Sequence, residues 1–146
     1  MGVNYQCTFD LDKCIKTLGL DERGRVQQAI DETFLTGVEP YVPFLEGNLI
    51  DSGIENTIIG SGEIVWNTPY AQYMWNGIVY EDPKLHCAGF KTENGWFSRK
   101  DVQKVPTDRS LEYKNGSLRG SHWAERYLQN GGLKEIEKKA REAAKI

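Results

Sequence analysis

Residues 42–77 read VPFLEGNLIDSGIENTIIGSGEIVWNTPYAQYMWNG, and the rest of the predicted fold is arranged around this stretch. Two prolines, Pro40 and Pro43, stand at its start. Proline lacks a backbone N–H and disfavours a helical conformation in the residue before it. A helix arriving from the N-terminal side is therefore expected to end near Glu39.

Two β-rich runs lie inside the stretch, at residues 54–59 and 64–68. The four residues between them, Gly-Ser-Gly-Glu at 60–63, have the composition of a turn that joins antiparallel neighbours. This pattern predicts a central β-hairpin over residues 54–68.

The residues before the stretch predict a strand followed by a long helix. The strand would alternate apolar and polar side chains, with the apolar set at Val3, Tyr5, Cys7 and Phe9. The helix would carry one apolar stripe, at Val26, Ile30, Phe34 and Val38. We expect the stripe to face a sheet, while the acidic pair Asp31 and Glu32 faces solvent.

Hydrophobic periodicity disappears between residues 81 and 119, where glycine, asparagine and proline punctuate the chain. Short strands are expected at 95–98 and 111–114, joined as an extended hairpin. The hairpin would carry a basic cluster of Arg99, Lys100 and Lys104. A loop of this length is typically functional or disordered. Its many aromatic residues favour an arm that orders on assembly over permanent disorder.

These patterns together predict a single α+β domain over residues 1–146. A small antiparallel sheet, made of the N-terminal strand and the central hairpin, would pack against the long N-terminal helix and a C-terminal helix around Trp123. Gly131-Gly132 should interrupt the C-terminal helical region. The final run, 133–146, is helix-competent but weakly hydrophobic, so it either frays or docks on a partner.

Composition and charge limit the functional classes. Residues 1–80 hold 11 acidic against 4 basic side chains, which disfavours tight, sequence-independent nucleic-acid binding driven by lysine and arginine. No apolar run approaches membrane-spanning length, and the first residues lack the order of a signal peptide, so we expect a soluble product made in the cytoplasm. Three cysteines, an odd number without close pairs, argue against a disulfide framework.

Residue patterns that carry chemistry are missing from the sequence. His86 and His122 are not followed by further ligands at zinc spacings. The glycines do not fall in a phosphate-binding pattern, and Gly60-Ser61-Gly62 is explained by a turn. No catalytic residue, cofactor or metal is therefore predicted. A small enzyme with an unrecognised site and an adaptor that binds DNA or another protein without forming a ring stay open as other classes.

A short aromatic helix should follow the central hairpin, because Thr68 and Pro69 suit an N-cap and a first helical residue and Gly77 suits a stop. Its rings occupy more than one helical face, so they cannot all meet one core. They either complete the core or form a contact with another protein. The residues predicted for a subunit interface are Tyr70, Tyr73, Trp75, Tyr80, Phe90, Trp96, Phe97, Arg99 and Lys100.

One combination of short motifs resembles a known family. The combination is Val42-Pro43, Gly47, Leu49, Ser52-Gly53 and Trp66-Asn67-Thr68-Pro69-Tyr70-Ala71. It is similar to the minor capsid or tail-completion proteins of tailed bacteriophages, small components of the neck that joins head to tail. The likeness extends more loosely to both ends of the chain and is poorest in the segment 81–119.

The resemblance implies a structural protein of the virion that is assembled in the host cytoplasm. It implies a ring around the DNA channel that completes the head–tail joint or the tail terminus. The implied partners are further copies of the chain, neighbouring neck proteins, and tail-tube or tail-terminator proteins. DNA would pass through the channel without tight binding, and no membrane would be involved.

Overall fold

The computed structural model describes residues 2, 4, 6 and 8–145. In chain order its helices are α1 (Leu11–Leu18), α2 (Arg25–Val38), α3 (Asn48–Asn56), α4 (Ala71–Asn76), α5 (Trp123–Tyr127) and α6 (Leu133–Ala144). A 3-10 turn, Glu39–Tyr41, follows α2, and a π-helical turn, Leu128–Gly132, joins α5 to α6. The strands are β1 (Ile78–Glu81), β2 (Phe90–Thr92), β3 (Gly95–Phe97) and β4 (Val105–Ser110).

The strands form two small antiparallel pairs, so the fold belongs to the predicted α+β class. In the first pair, β1 runs beside β4 with Ile78 opposite Ser110 and Glu81 opposite Val105. In the second pair, β2 and β3 form a tight hairpin. The main core is built by helices and includes the buried residues Val38, Tyr41, Val42, Leu49, Trp123, Tyr127 and Ile136. The sheets therefore lie outside that core.

The predicted central hairpin at 54–68 is wrong, because the first three residues of its first strand, 54–56, belong to α3 and residues 57–59 form no strand. Leu49, Ser52 and Gly53 are buried at the i, i+3 and i+4 positions of this helix. Ile54 is 61% exposed, so its β-branched side chain has no part in the core. Burial of one helical face therefore overrode the local β-propensity of the isoleucines.

The second half of the predicted hairpin, 64–68, has no regular secondary structure and no partner strand within the described residues. Two of its backbone N–H groups donate to side chains instead. The Val65 N–H donates to Thr57 Oγ1 at 3.0 Å, and the Asn67 N–H donates to Ser52 Oγ at 2.7 Å. These bonds replace the ladder that a second strand would have supplied.

The expected turn at 60–63 is organised by Asp31, whose predicted exposure is wrong. Asp31 is only 2% exposed, and its Oδ2 accepts hydrogen bonds from the Gly60 N–H at 2.7 Å and the Gly62 N–H at 3.1 Å. Its Oδ1 accepts one from Gln27 Nε2 at 2.8 Å. The buried carboxylate thus fastens the turn to α2.

The apolar stripe of α2 packs on helices, not on a sheet as predicted. α2 runs along α6, and the Phe34 ring meets the edge of Tyr127 with the ring centroids 5.5 Å apart. The predicted end of this helix near Glu39 is confirmed, since α2 ends at Val38. The stripe packs on helices because all the strands described lie beyond residue 77 and do not pack on α2.

The C-terminal run docks within its own chain as α6. Ile136 and Ala144 are buried, whereas Leu133 remains 62% exposed. Arg25 Nε donates to the Ala143 carbonyl at 2.6 Å, which ties the end of α6 to the start of α2. The break predicted at Gly131-Gly132 is confirmed, because Gly131 has φ of +99° inside the π-helical turn.

The segment 81–119 contains the strands β2, β3 and β4. The strand predicted at 95–98 is confirmed as β3, but the strand predicted at 111–114 is wrong. There the chain runs beside the end of α4, where the Leu111 N–H donates to the Gly77 carbonyl and Tyr113 Oη donates to the Met74 carbonyl. Pairing of β1 with β4 closes the base of the segment and leaves the β2–β3 hairpin at its far end.

The predicted N-terminal strand is only partly covered by the structure. Val3, Tyr5 and Cys7 of the predicted N-terminal strand lie outside the described residues. Phe9 is described, is 70% exposed and precedes α1 without regular structure.

In the part of the chain that the structure describes, no helix combines the length and the apolar character needed to cross a bilayer.

Candidate assembly surface

The short aromatic helix predicted after the central hairpin is confirmed as α4, but its predicted start at Thr68 and Pro69 is wrong. Tyr70 is the N-cap and the helix begins at Ala71, without a side-chain cap. The Thr68 carbonyl accepts a hydrogen bond from the Ala71 N–H at 3.1 Å, and Gly77 ends the helix with φ of +72°. Trp75 is half-buried against the core, with its ring edge-to-face to Trp123 at a centroid distance of 4.8 Å. Of the residues predicted for an interface, Trp75 therefore serves as the anchor of α4.

The tyrosines of this region divide between the two sides of α4. Tyr70 is 41% exposed on one side. Tyr73, 42% exposed, lies on the other side and packs edge-to-face on Tyr80 with the centroids 5.0 Å apart. The predicted aromatic cluster thus forms two separate surfaces.

The tip of the segment 81–119 presents three further predicted residues to solvent. Trp96 is 67% exposed, Phe97 46% and Phe90 42%. Gly89 lies against the Trp96 indole so closely that a side chain at this position would collide with it. The β2–β3 hairpin is therefore an aromatic projection from the body of the protein. Lys100, just beyond it, is exposed.

Arg99 and Asp82 attach this projection to the body. The Arg99 guanidinium donates through Nε to Asp82 Oδ2 at 2.5 Å and through a terminal nitrogen to Oδ1 at 2.6 Å. The Asp82 carboxylate also accepts from the backbone N–H groups of Lys84 at 2.8 Å and Leu85 at 3.0 Å. These hydrogen bonds, with that of Arg99 the strongest, hold the pKa of Asp82 well below its usual range.

A polar pocket of about 370 Å³ lies between α4 and the base of the hairpin. Its lining includes the predicted residues Tyr73, Tyr80 and Arg99. Lys104, from the predicted basic cluster, also lines it and donates to the Ala88 carbonyl at 2.6 Å. Both Arg99 and Lys104 already have hydrogen-bond partners in the chain, so these side chains hold the hairpin in position.

A larger and more apolar cavity of about 540 Å³ lies on the opposite side of α4; we call it the α3–α4 groove. Tyr70 and Met74 of α4 line one wall. The remaining lining residues are Pro43, Phe44, Leu45, Glu46, Gly47, Asn48, Leu49, Glu112, Tyr113 and Lys114. The Phe44 ring is held beneath the Arg119 guanidinium, 5.2 Å from its centroid. The groove combines an apolar surface with charged residues at its rim.

The motifs that carry the phage resemblance contribute several buried residues to the protein interior. Gly53 sits directly against the Trp66 indole, whose Nε1 would be 2.6 Å from a side chain added there. Ser52 binds the backbone of Asn67, as described above, and Val42 and Leu49 are buried. These residues form one packing unit, and only Tyr70 among the aromatics of the motif is exposed.

Sequence patterns did not single out the carboxylates at this surface. Asp82 precedes Pro83 at the start of a turn, a placement in which aspartate commonly accepts hydrogen bonds from the following backbone. That signal could have identified Asp82, but its pairing with Arg99 across 17 residues depends on the folded hairpin. Glu46 and Glu112 are brought to one groove by the tertiary fold alone.

No family model, curated protein or solved structure matches this chain. Within the described residues, no group of three or more His, Cys, Asp and Glu side chains is placed to hold a metal ion. The function proposed next therefore rests on the residues of this chain and on the resemblance of its motifs.

Proposed function

We propose that this chain is a structural protein of the bacteriophage neck. It completes the head–tail joint or the tail terminus by forming a ring around the DNA channel. Its partners are further copies of itself, neighbouring neck proteins, and tail-tube or tail-terminator proteins. It is made and assembled in the host cytoplasm and remains in the virion.

One observation carries most of the proposal: an aromatic hairpin projects from the body and is held there by a bidentate ion pair. Exposed Trp and Phe side chains are typical of protein interfaces, and clusters of them are rare on surfaces without a partner. The Arg99 fork on Asp82 favours one orientation of the hairpin before any partner arrives. A pre-oriented contact loses less conformational entropy on binding.

A ring also requires two different complementary surfaces on each subunit, because it repeats one heterologous contact around an axis. The α3–α4 groove and the hairpin supply two such surfaces on opposite sides of α4. The phage-like motifs support the same function, since they form the packing unit that holds α4 between these surfaces.

The charge distribution suits a conduit for DNA. The acidic excess in residues 1–80 would repel phosphates if this part of the chain lines the channel, so DNA would slide past without being held. We expect the purified protein to show no measurable DNA affinity at physiological salt.

The proposal can be tested in the phage that encodes the chain by fusing an epitope tag after residue 145. Gold-labelled antibody should mark a single position at the head–tail joint or at the adjoining end of the tail in electron micrographs of purified virions. An untagged phage is the control. Virions that contain none of the tagged chain, from a phage that assembles normally, would refute a neck function.

A further inference from the structure

We propose that the β2–β3 hairpin of one copy docks in the α3–α4 groove of a second copy. The hairpin face that carries Trp96 and Lys91 enters the groove. This inference rests on the ring of the proposed function and identifies the contact between its subunits.

The hairpin register places an aromatic ring and a cation on the same face. Lys91 stands opposite Trp96, and directly opposed residues of an antiparallel pair project to the same side. Phe90 stands opposite Phe97 on the other face. The Trp96 face therefore offers one large apolar side chain beside one ammonium group.

The groove offers the complementary chemistry. Phe44, Leu45 and Met74 supply an apolar surface, and Glu46 and Glu112 are exposed carboxylates on its lining. Among the described residues, neither carboxylate lies within 4.0 Å of a basic side chain, and Lys91 likewise has no acidic neighbour at that distance. Lys114 also lines the groove, which leaves two carboxylates against one ammonium.

The positions of the two surfaces favour a contact between different copies over a contact within one copy. Tyr70 and Met74 face the groove, whereas Gln72, Tyr73 and Asn76 line the pocket beside the hairpin base. One chain thus carries hairpin and groove on opposite sides of α4. When copies dock in a row, the first copy keeps a free groove or hairpin and the last copy keeps the complementary surface. A ring closes when these two free surfaces dock on each other.

A second copy fits better than an unrelated partner because both halves of the contact lie on the same chain. Residues 90–100 hold three basic side chains against the single acid Glu93, and the groove holds an excess of acid. Opposite charges at the two surfaces favour encounter between copies and disfavour hairpin–hairpin and groove–groove pairing.

The test measures self-association of the purified full chain by sedimentation velocity over a range of concentrations. Trp96→Ala should weaken self-association by about thirtyfold or more, as expected for a central aromatic contact. The double variant Glu46→Lys/Glu112→Lys should also weaken it, whereas Glu55→Lys, on the exposed surface of α3, should leave it unchanged.

Mixing the two weakened proteins separates a lost contact from a misfolded chain. Trp96→Ala keeps an intact groove, and Glu46→Lys/Glu112→Lys keeps an intact hairpin. The mixture should therefore form heterodimers that neither protein forms alone, and these should not grow into rings. Misfolded variants would give no heterodimer, and failure of the mixture with both proteins folded would overturn the docking.

Charge reversal on both sides provides a second criterion. Lys91→Glu alone should weaken self-association, and combining it with Glu46→Lys/Glu112→Lys should restore much of the loss. Oligomers that persist unchanged in all these variants would overturn the hairpin–groove contact but leave the ring intact. A wild-type chain that stays monomeric at every concentration would overturn both. Self-association by this contact in a chain absent from virions would overturn only the neck function.

Discussion

At the scale of single residues, two carboxylates explain why parts of this chain that lack regular secondary structure hold their places. Asp31 collects three hydrogen bonds in a nearly dry site, and Asp82 collects a guanidinium and two backbone N–H groups. Each carboxylate satisfies donors that a longer strand ladder would otherwise satisfy. Asp82 bears more directly on the proposed assembly because it holds the hairpin through Arg99.

The Asp82 attachment predicts a specific dependence of stability on pH. Because its pKa is lower in the folded chain than in the unfolded chain, the ionised carboxylate stabilises the fold above about pH 4. As the pH falls below that value, the carboxylate takes up a proton and this stabilisation is lost. Asp82→Asn removes the ionised form at every pH.

We therefore expect the wild-type chain to have a larger unfolding free energy than Asp82→Asn at pH 6, and the difference to shrink steadily between pH 4 and pH 2. Urea unfolding at a series of pH values measures this difference. Asp108→Asn, an exposed carboxylate on β4, is the matched control and should show a much smaller effect. A difference between wild type and Asp82→Asn that is independent of pH would contradict the ion pair.

At the scale of elements, the features that sequence predicted well are those set by backbone chemistry. The end of α2 near Glu39 follows from nearby prolines, and the end of α4 follows from Gly77 in the left-handed region. The break at Gly131 follows from the same conformational freedom. Such signals act over a few residues and do not depend on the rest of the fold.

The prediction of a central hairpin was wrong because it used only local residue patterns, whereas contacts between residues distant in sequence determine the structure of this segment. The face of α3 that reaches the core contains Ser52 and Gly53, which do not register as an apolar stripe. Ser52 is buried because its hydroxyl accepts the Asn67 N–H, and Gly53 is buried because Trp66 needs the space. The exposed aromatics of the candidate surface were predictable, but the groove that complements them was not, since residues from 43 to 114 form it.

Packing of α3 against Trp66 yields a prediction for Gly53→Ala. An added methyl group would meet the indole at 2.6 Å, so Trp66 must shift within a core where it also contacts Trp123 and Phe34. Overpacking of this kind typically costs 1–3 kcal/mol, and we expect a loss of about 2 kcal/mol in the unfolding free energy. Ile54→Ala, the next residue on the same helix, should change it by less than about 0.5 kcal/mol because the side chain is exposed. The opposite order of effects would favour the hairpin over the helix at 54–68.

At the scale of the whole molecule, a helical body carries a projection on one side and a groove on the other. The body is held together by the packing of α2 on α6 and by the cluster of Trp66, Trp75 and Trp123. The hairpin takes no part in either contact. The β1–β4 pair and the Asp82–Arg99 ion pair lie at the base of the projection. The contacts that stabilise the body are therefore separate from the hairpin to which we assign assembly.

This separation predicts the outcome of replacing residues 90–97 by a short Gly-Ser linker between Gly89 and Ser98. The body should keep its unfolding free energy within about 1 kcal/mol, because the hairpin residues are exposed. Under the proposed neck function, the same replacement made in the phage should give DNA-filled heads without attached tails, or tails with defective ends, because subunits that fold would not complete the joint. Glu93→Gln, at the exposed hairpin turn, is the control and should support normal particles. Electron micrographs and infectious titres measure the outcome, and normal infectious virions from the linker variant would show that the hairpin is dispensable for assembly.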